Sequence, residues 1–469
     1  MLHLEYDITG LKGAEYNPRR IEDADLERLA SSIKELGLVK PLIVRGDLLV
    51  AGHQRTKALR RLGVTKAPVY VLNKDTTTYD EVRFNQLHNG TDMDGGDEDV
   101  KIAGGFAAVG YEVVDSNRIK GNFRSKLANV RVGICELIVR YGAWGGVVAT
   151  KSGRVIHAAQ YALAAALTRT PLTCFVIEDA DEAKYRGYLD RQYGVFSYDH
   201  LQKDTFIQTL AQMNRLRVTK SGKENKSTLY ESMVIPYAIT HRKLRYIDFG
   251  SGWGDYARSM RKQGFHYHDV ELFRRNNSRV LDIAQVGIML DGMIHDLTKL
   301  GPYDVTVLDS VLNSVDCVEA ESAVLTVTNM LTRKGGRAFL SGRRMENVEA
   351  HSRSTKRADT QARRYVEFLD KDGFTAIYRD GHWFYQKYHT AQGAADLAKS
   401  FGFSVARQAH TNTSFQLECV KERDLELESV LSACDYEFNM DIGNGQRLGR
   451  HEDVKNAVKE IYGCALVSH

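Results

Sequence analysis

The sequence predicts an α/β protein on two observations. The first is Tyr246-Ile-Asp-Phe-Gly-Ser-Gly-Trp-Gly-Asp255. It reads as a buried strand that runs into a glycine-rich turn and opens a helix, and strands and helices alternate from there to Leu340. The second is a compact set of short helices and strands over residues 1–75, whose pattern recurs over 128–178. Together they predict a doubly wound domain joined to two small α+β modules. A chain of 469 residues is too long for one hydrophobic core and divides into several domains.

Bulk composition excludes more than it selects. Lys and Arg number 64 against 60 Asp and Glu, and this balance of +4 argues neither for nor against nucleic acid. No apolar run reaches the ~20 residues that cross a bilayer, so no membrane partner is expected. The start, Met-Leu-His-Leu-Glu-Tyr-Asp7, lacks the basic region and apolar core of a signal peptide. The six cysteines are scattered and none forms C-x-x-C, which argues against a zinc ribbon and fits a reducing cytoplasm. A cytoplasmic protein without a metal site is the expectation.

In the first module, Leu26, Leu29, Ala30, Ile33 and Leu36 mark one helical face, with Asp23 and Asp25 as cap candidates and Gly37 as the stop. Pro41-Leu-Ile-Val44 and Leu48-Leu-Val50 read as strands around a Gly46-Asp47 turn. A second helix runs from Gln54 to Leu62, and Pro68-Val-Tyr-Val-Leu72 is a further strand. The turn Ala51-Gly-His-Gln-Arg55 joins strand to helix, an arrangement that suits a phosphate. Gly52 allows close approach, the helix start offers amides, and Arg55 offers a forked cation.

This module resembles the N-terminal domain of the ParB/sulfiredoxin superfamily. The resemblance rests on Asn17-Pro-Arg19, Leu29-Ala-Ser-Ser-Ile33, Gly37, Lys40-Pro-Leu-Ile-Val44, Ala51-Gly-His-Gln-Arg55, Ala58 and Pro68, in the family's order. It implies a nucleotide- or DNA-binding turn of Gly52, His53, Gln54 and Arg55 with Arg19 nearby, and CTP or ATP as the ligand. The superfamily includes switches, kinases and nucleases, and the residues do not choose among them.

Residues 76–112 are polar and read as an extension or linker, with Asp94, Asp97 and Asp99 a solvated acidic stretch. Residues 113–218 form the second module. Its Val155-Ile-His-Ala-Ala-Gln-Tyr161 aligns with Leu49-Val-Ala-Gly-His-Gln-Arg55, but Gly52 is replaced by Ala158 and Arg55 by Tyr161. Losing both the bare backbone and the cation marks this copy as degenerate. Residues 219–228 form a polar linker, 229–421 the doubly wound domain and 422–469 a C-terminal helical tail.

In the doubly wound domain an acid precedes G-x-G-x-G, as in the first motif of class I S-adenosylmethionine (SAM)-dependent methyltransferases. A dinucleotide turn instead prefers G-x-G-x-x-G. The resemblance implies a Rossmann-like methyltransferase domain. Asp248, Gly250, Ser251, Gly252 and Gly254 then hold the methionine end of the cofactor, and Glu271, with Asp269 as the alternative, holds the ribose hydroxyls. Ile294-His-Asp296 is the candidate third strand, where an acid meets the adenine. Tyr303-Asp-Val-Thr-Val-Leu308 is the fourth strand, ending in Asp309. His266 and His268 alternate on a strand and read as a solvated edge rather than a metal pair.

Val311-Leu-Asn-Ser-Val315 and Trp383-Phe-Tyr-Gln-Lys-Tyr388 resemble motifs of a methyltransferase family associated with DNA phosphorothioation. The acceptor is not legible. Asp309-Ser-Val-Leu lacks the prolines of DNA amino-methyltransferases, and no Pro-Cys nucleophile occurs. Tyr365, His382, Tyr385, Lys387 and His389 are polar groups in the C-terminal half that could act on an acceptor; each also reads as surface or packing, and none has an assigned catalytic role. The coexistence of both resemblances points to a SAM-dependent methyltransferase of nucleic-acid modification, DNA favoured, of the kind phages and mobile elements carry. A nucleotide switch, kinase or nuclease on a methyltransferase scaffold is the alternative, and a non-catalytic DNA-binding protein is a third. The basic pairs Arg343-Arg344, Lys356-Arg357 and Arg363-Arg364 bear on that third reading.

Overall fold

The computed structural model describes residues 2–17, 19–90, 99–123, 128–189, 195–196, 201, 203, 205, 226–276, 280–346, 372–379, 382–443 and 445–467. The chain forms two compact units, one built mainly on Met1–Gln202 and the other mainly on Lys203–Asn347 with His382–His469.

In the first unit, β1 (Leu2–Asp7), α1 (Asp23–Leu36), β2 (Leu42–Arg45), β3 (Leu48–Ala51), α2 (His53–Arg61) and β4 (Lys66–Val71) follow the expected order. The α1 residues Leu26, Leu29, Ala30 and Ile33 are buried at the i, i+3, i+4, i+7 spacing that the sequence displays. β2 and β3 form an antiparallel hairpin, β4 runs parallel to β2, and β1 closes the edge against β4.

Residues 78–90, expected as part of a polar extension, instead form α3 (Thr78–Gly90). Val82, Phe84 and Leu87 are buried in it. The polar composition that suggests a linker is satisfied by pairing: the buried Asp80 accepts from Arg140 at 2.9 Å and from the Tyr141 hydroxyl at 2.5 Å. Asp94 and Asp97 lie outside the described residues, and Asp99 faces Lys101 at 3.6 Å.

The second half of this unit repeats the first, with β5 (Gly110–Val114), α4 (Ala128–Tyr141), β6 (Gly146–Thr150), β7 (Val155–His157), α5 (Ala159–Leu167) and β8 (Leu172–Ile177), and is followed by α6 (Glu182–Leu189). Its sheet order, β5-β8-β6-β7, matches β1-β4-β2-β3 of the first copy. α1 and α4 both have 14 residues, and α2 and α5 both have 9. Each copy contributes to both cores. One core joins Ile43, Val50 and Tyr70 to Ile134, Ala149 and Leu163. The other joins Leu29, Val44 and Leu59 to Val148, Ile156 and Ile177. Alternate residues of each strand thus feed different cores, and the copies fold as one unit.

In the second unit, β9 (Arg245–Phe249) lies between β10 (His266–Val270) and β11 (Tyr303–Asp309), all parallel. α7 (Asp255–Lys262) links β9 to β10, and α8 (Ile283–Leu300) carries the chain back to β11. The strand order therefore reverses between β9 and β11, and open α/β sheets bind ligands at the carboxyl ends of the strands at such a point. α9 (Val318–Leu331) leads to β12 (Thr332–Arg344), parallel to β11. After β13 (His382–His389) and α10 (Ala391–Ser400), the sheet ends in β14 (Phe403–His410) and β15 (Ser414–Lys421). β15 is antiparallel to β12, and β14 is antiparallel to β15. The tail forms α11 (Leu427–Glu437) and α12 (His451–Val467).

The expected third strand at Ile294-His-Asp296 is corrected. Val286, Met289, Leu290, Met293 and Leu297 bury a helical stripe, so this segment belongs to the 18-residue α8. The Asp296 carboxylate accepts from the Tyr303 hydroxyl at 3.0 Å. Tyr303 begins β11, so Asp296 lies at the amino end of the sheet, opposite the glycine turn, and is no adenine ligand. No described helix is long and apolar enough to cross a membrane.

Candidate functional site

The glycine turn is built as the sequence requires. Gly250, Gly252 and Gly254 have φ of 81°, 58° and 67°, the left-handed region that a side chain disfavours. A Cβ on Gly250 would run into Val311, and one on Gly254 would lie 2.5 Å from the Asp269 carboxylate. The amides of Gly250 and Ser251 both donate to the Val270 carbonyl, at 2.9 and 3.1 Å. This fastens the turn to the end of β10.

Glu271, just past β10, completes the turn. Its two carboxylate oxygens accept from the amides of Gly252 at 2.7 Å and Phe273 at 3.0 Å. Burial raises its pKa, opposed by those two amides. Asp269, the alternative, is held by Arg261 at 2.6 Å and Arg274 at 2.7 Å. Those cations fix Asp269 as an ion-pair residue, leaving Glu271 as the acid joined to the turn's backbone. His268 is likewise engaged, at 2.9 Å from the Met289 carbonyl.

Asp248 and Asp309 mark the carboxyl ends of β9 and β11. Asp248 is buried and accepts from the Tyr230 hydroxyl at 2.5 Å, while Tyr230 and Tyr267 share a hydrogen bond at 2.7 Å. Asp309 accepts from the Ser341 hydroxyl at 2.5 Å and from Ser227. Tyr230 and Ser227 come from the segment that enters the unit, with a π-helical turn over Tyr230–Val234. Sequence reasoning missed both: Ser227 fell within the expected linker, and no motif marked Tyr230. Residues 219–225 of that linker lie outside the described residues. Ser310, next to Asp309, has a φ of 60°, a strained position for serine.

β13 brings the two segments of the narrower resemblance together. Arg343 of β12 pairs with Ser414 of β15 on one edge and with Tyr388 of β13. β13 therefore takes the other edge, which β11 leaves at Asp309, opposite Ser341. The Lys387 amide donates to the Asn313 carbonyl at 3.2 Å, joining β13 to the loop after β11. Tyr385, Lys387 and His389 share one strand face and are buried. His389 Nε2 lies 2.6 Å from Glu321 Oε1, and Lys387 Nζ lies 3.5 Å from Glu321 Oε2. Tyr365, Lys356-Arg357 and Arg363-Arg364 lie outside the described residues.

In the first unit, Gly52 takes a φ of 98°, and a Cβ there would meet Leu42 Cδ2 at 2.6 Å. Arg55 is buried and donates to the Lys40 carbonyl at 2.6 Å, with His88 Nε2 at 2.8 Å. Lys40 and Gln54 are also buried, and Lys40 Nζ lies 3.0 Å from His157 Nε2 of the second copy. His53 differs from its expected auxiliary role toward phosphate. Burial, then Lys57 and Arg55, push its pKa down to about 3, and its Nε2 accepts from the Ala14 amide at 3.0 Å. It is a neutral brace for that loop. Arg19 lies in a short strand paired with Val195–Phe196.

In the second copy Ala158 keeps the left-handed turn at a φ of 61°. The Tyr161 hydroxyl accepts from the amides of Trp144 and Gly145, both at 2.9 Å. Where Arg55 donates to a carbonyl, its counterpart accepts from amides, so the turn survives without its cation. Among the described residues the one group of potential metal ligands is Asp435, His451 and Glu452. Lys455 neutralises Asp435 at 2.8 Å and Glu452 at 2.7 Å.

Fold and sites together define a ParB-like N-terminal domain joined to a methyltransferase-fold domain. Residues 3–85 match the ParB N-terminal domain family. A chromosome-partitioning protein ParB of Xylella fastidiosa (strain Temecula1) is 41% identical over 76 residues, 15% of this chain and 24% of the relative. A nucleoid occlusion protein of Bacillus thuringiensis is 34% identical over 79 residues, 16% of this chain and 27% of that protein. The chain thus spans about a quarter of the relatives it matches. Among solved structures, the 1,6-didemethyltoxoflavin-N1-methyltransferase of Burkholderia thailandensis matches with a TM-score of 0.28 and 14% identity, covering 42% of this chain and 78% of that one. ParB of Caulobacter crescentus, complexed with CTP-gamma-S, matches with a TM-score of 0.18 and 28% identity, covering 19% and 52%.

Proposed function

We propose that the protein is a SAM-dependent methyltransferase acting in nucleic-acid modification, DNA favoured, whose ParB-like turn binds a nucleotide (CTP or ATP) or DNA. The observation that carries this reading is the tie between Glu271 and the Gly252 amide, an acid and a glycine turn joined where the sheet reverses. The residues fit the cofactor. The three left-handed glycines put no side chain on the turn, and the helix start behind it favours a carboxylate. Asp248, Gly250, Ser251, Gly252, Gly254, Glu271 and Asp309 would hold it.

When bound, SAM supplies an electrophilic methyl group. The chain's own part is to position and to manage protons. Glu271 would orient the ribose, Tyr230 and Ser341 fix Asp248 and Asp309, and the polar face of β13 stands beside the end of β11. In the first unit, Gly52, Gln54 and Arg55 would hold a phosphate, with Arg19 supplied by the short strand paired to Val195–Phe196 and His53 bracing the loop.

Calorimetric titration with S-adenosylhomocysteine (SAH) tests the cofactor assignment. One molecule per chain is the expected result, with affinity reduced at least tenfold in Glu271→Ala, since an alanine strands two amides and loses the ribose contact. Absence of binding by the intact chain would refute the reading. The same titration with CTP and ATP, repeated on Arg55→Ala, examines the ParB-like turn.

A further inference from the structure

The acceptor side of the second unit holds a group of buried polar atoms that the cofactor does not use. Glu321 sits in the first turn of α9, directly after the loop that leaves β11. Lys387 and His389 come from β13, which occupies the edge of β12 beyond Asp309. All three lie at the carboxyl end of the sheet, at the place where doubly wound folds bind their substrates. Glu321 is 5% exposed, Lys387 6% and His389 7%.

The hydrogen bonds set the direction of the imidazole. Glu321 Oε1, 2.6 Å away, accepts from His389 Nε2. The second carboxylate oxygen faces Lys387 Nζ, which also donates to the Asp372 carbonyl. This leaves Nδ1 of a neutral His389 as a bare acceptor, and it has no hydrogen-bond partner among the described residues. A second buried acceptor, Oδ1 of Asn313, is also without a partner among the described residues. The two stand on hydrogen-bonded segments. The Asn313 carbonyl bonds the Lys387 amide, and Lys387 is two residues, roughly 7 Å, from His389 along the strand. Buried acceptors of this kind require donors, and an amino group carries two.

We propose that His389, oriented by Glu321, takes the proton from an amino group that is the methyl acceptor, and that Asn313 Oδ1 receives that group's other N–H. This rests on the cofactor reading above. The amino nitrogen's lone pair forms the bond to the methyl carbon as the carbon–sulfur bond breaks, and that bond's electron pair stays on sulfur in SAH. The nitrogen's proton passes to His389 Nδ1, the Nε2 proton stays on its bond to Glu321, and the added proton leaves to solvent after product departs. His389 is thereby the catalytic base, and Glu321 is a positioning residue. No cysteine nucleophile is required, in keeping with an N–H acceptor rather than a ring carbon.

The test uses the full chain, labelled with ¹⁵N-histidine and saturated with SAH, with His389→Gln to assign the resonances. The expected spectrum shows His389 with hydrogen on Nε2 and a pyridine-type Nδ1. Glu321→Gln, whose amide nitrogen can donate to the ring, should populate the opposite tautomer. Calorimetry runs alongside, and His389→Gln and Asn313→Ala should bind SAH within about twofold of the parent. On any DNA or RNA that the parent methylates, His389→Gln should transfer label at least 100-fold more slowly.

A parent chain that does not bind SAH would remove the cofactor reading and this proposal with it. SAH binding with the His389 proton on Nδ1 would overturn the base assignment while leaving the cofactor reading intact. Full transfer activity in His389→Gln would overturn it as well.

Discussion

Gly250→Ala is expected to lower affinity for SAH by roughly 100-fold, about 3 kcal/mol. Two independent costs combine. A left-handed alanine costs about 1–2 kcal/mol, and the Gly250 φ of 81° is set by the bond from its amide to the Val270 carbonyl. The added Cβ also meets Val311 in the loop after β11, and overpacking of this kind costs roughly 1–3 kcal/mol. Relief of either strain moves the turn out of the cradle that Glu271 completes. The double variant Gly250→Ala, Val311→Ala should recover about tenfold of the loss, because it removes the collision and keeps the backbone strain. Titration of the two variants against the parent separates these contributions. Equal binding by Gly250→Ala and the parent would show that the turn does not hold the ligand.

Glu437→Gln is expected to stabilise the protein in alkaline solution. Glu437 ends α11 with its side chain buried, and burial, followed by the charge of Asp316, pushes its pKa up to about 8 from an ordinary 4.5. A folded-state pKa above the unfolded one means that the folded protein holds a proton which the unfolded chain releases. The stability this provides is present in full below about pH 4.5 and is lost as pH rises through about 8. Glutamine keeps the neutral shape and does not titrate. Urea unfolding should therefore find variant and parent similar near pH 4.5 and the variant ahead at pH 9 by on the order of a few kcal/mol. An unchanged difference across that range would show that Glu437 is ionised in the folded protein.

Legibility in the sequence followed the physical range of each signal. The glycine turn and the ParB-like turn were readable because their residue types are dictated within a few positions by backbone geometry. The repeat was readable because strand and helix periods recur, and even Ala158 retains the left-handed turn of Gly52. α3 was hidden because its polar residues are satisfied by distant partners, with Asp80 bound to Arg140 and Tyr141. Asp296 was misplaced because one acid in a short segment outweighed the helical stripe around it. His389 and Lys387 were visible as polar groups, yet their value depends on Glu321, 68 residues before His389 in the chain. The burial of Arg55 against the Lys40 carbonyl and His88 was equally out of reach, since His88 belongs to the helix read as a linker.

The central claim is that the second unit transfers methyl groups to nucleic acid. Its most direct test is transfer of labelled methyl from SAM to duplex DNA, single-stranded DNA, RNA or no acceptor, with Asp248→Ala as the control. Label is expected on a nucleic acid, DNA first, and is expected to be lost in the variant. Label on none of these substrates by a chain that binds SAH would contradict the nucleic-acid acceptor, and equal transfer by Asp248→Ala would contradict the assigned site.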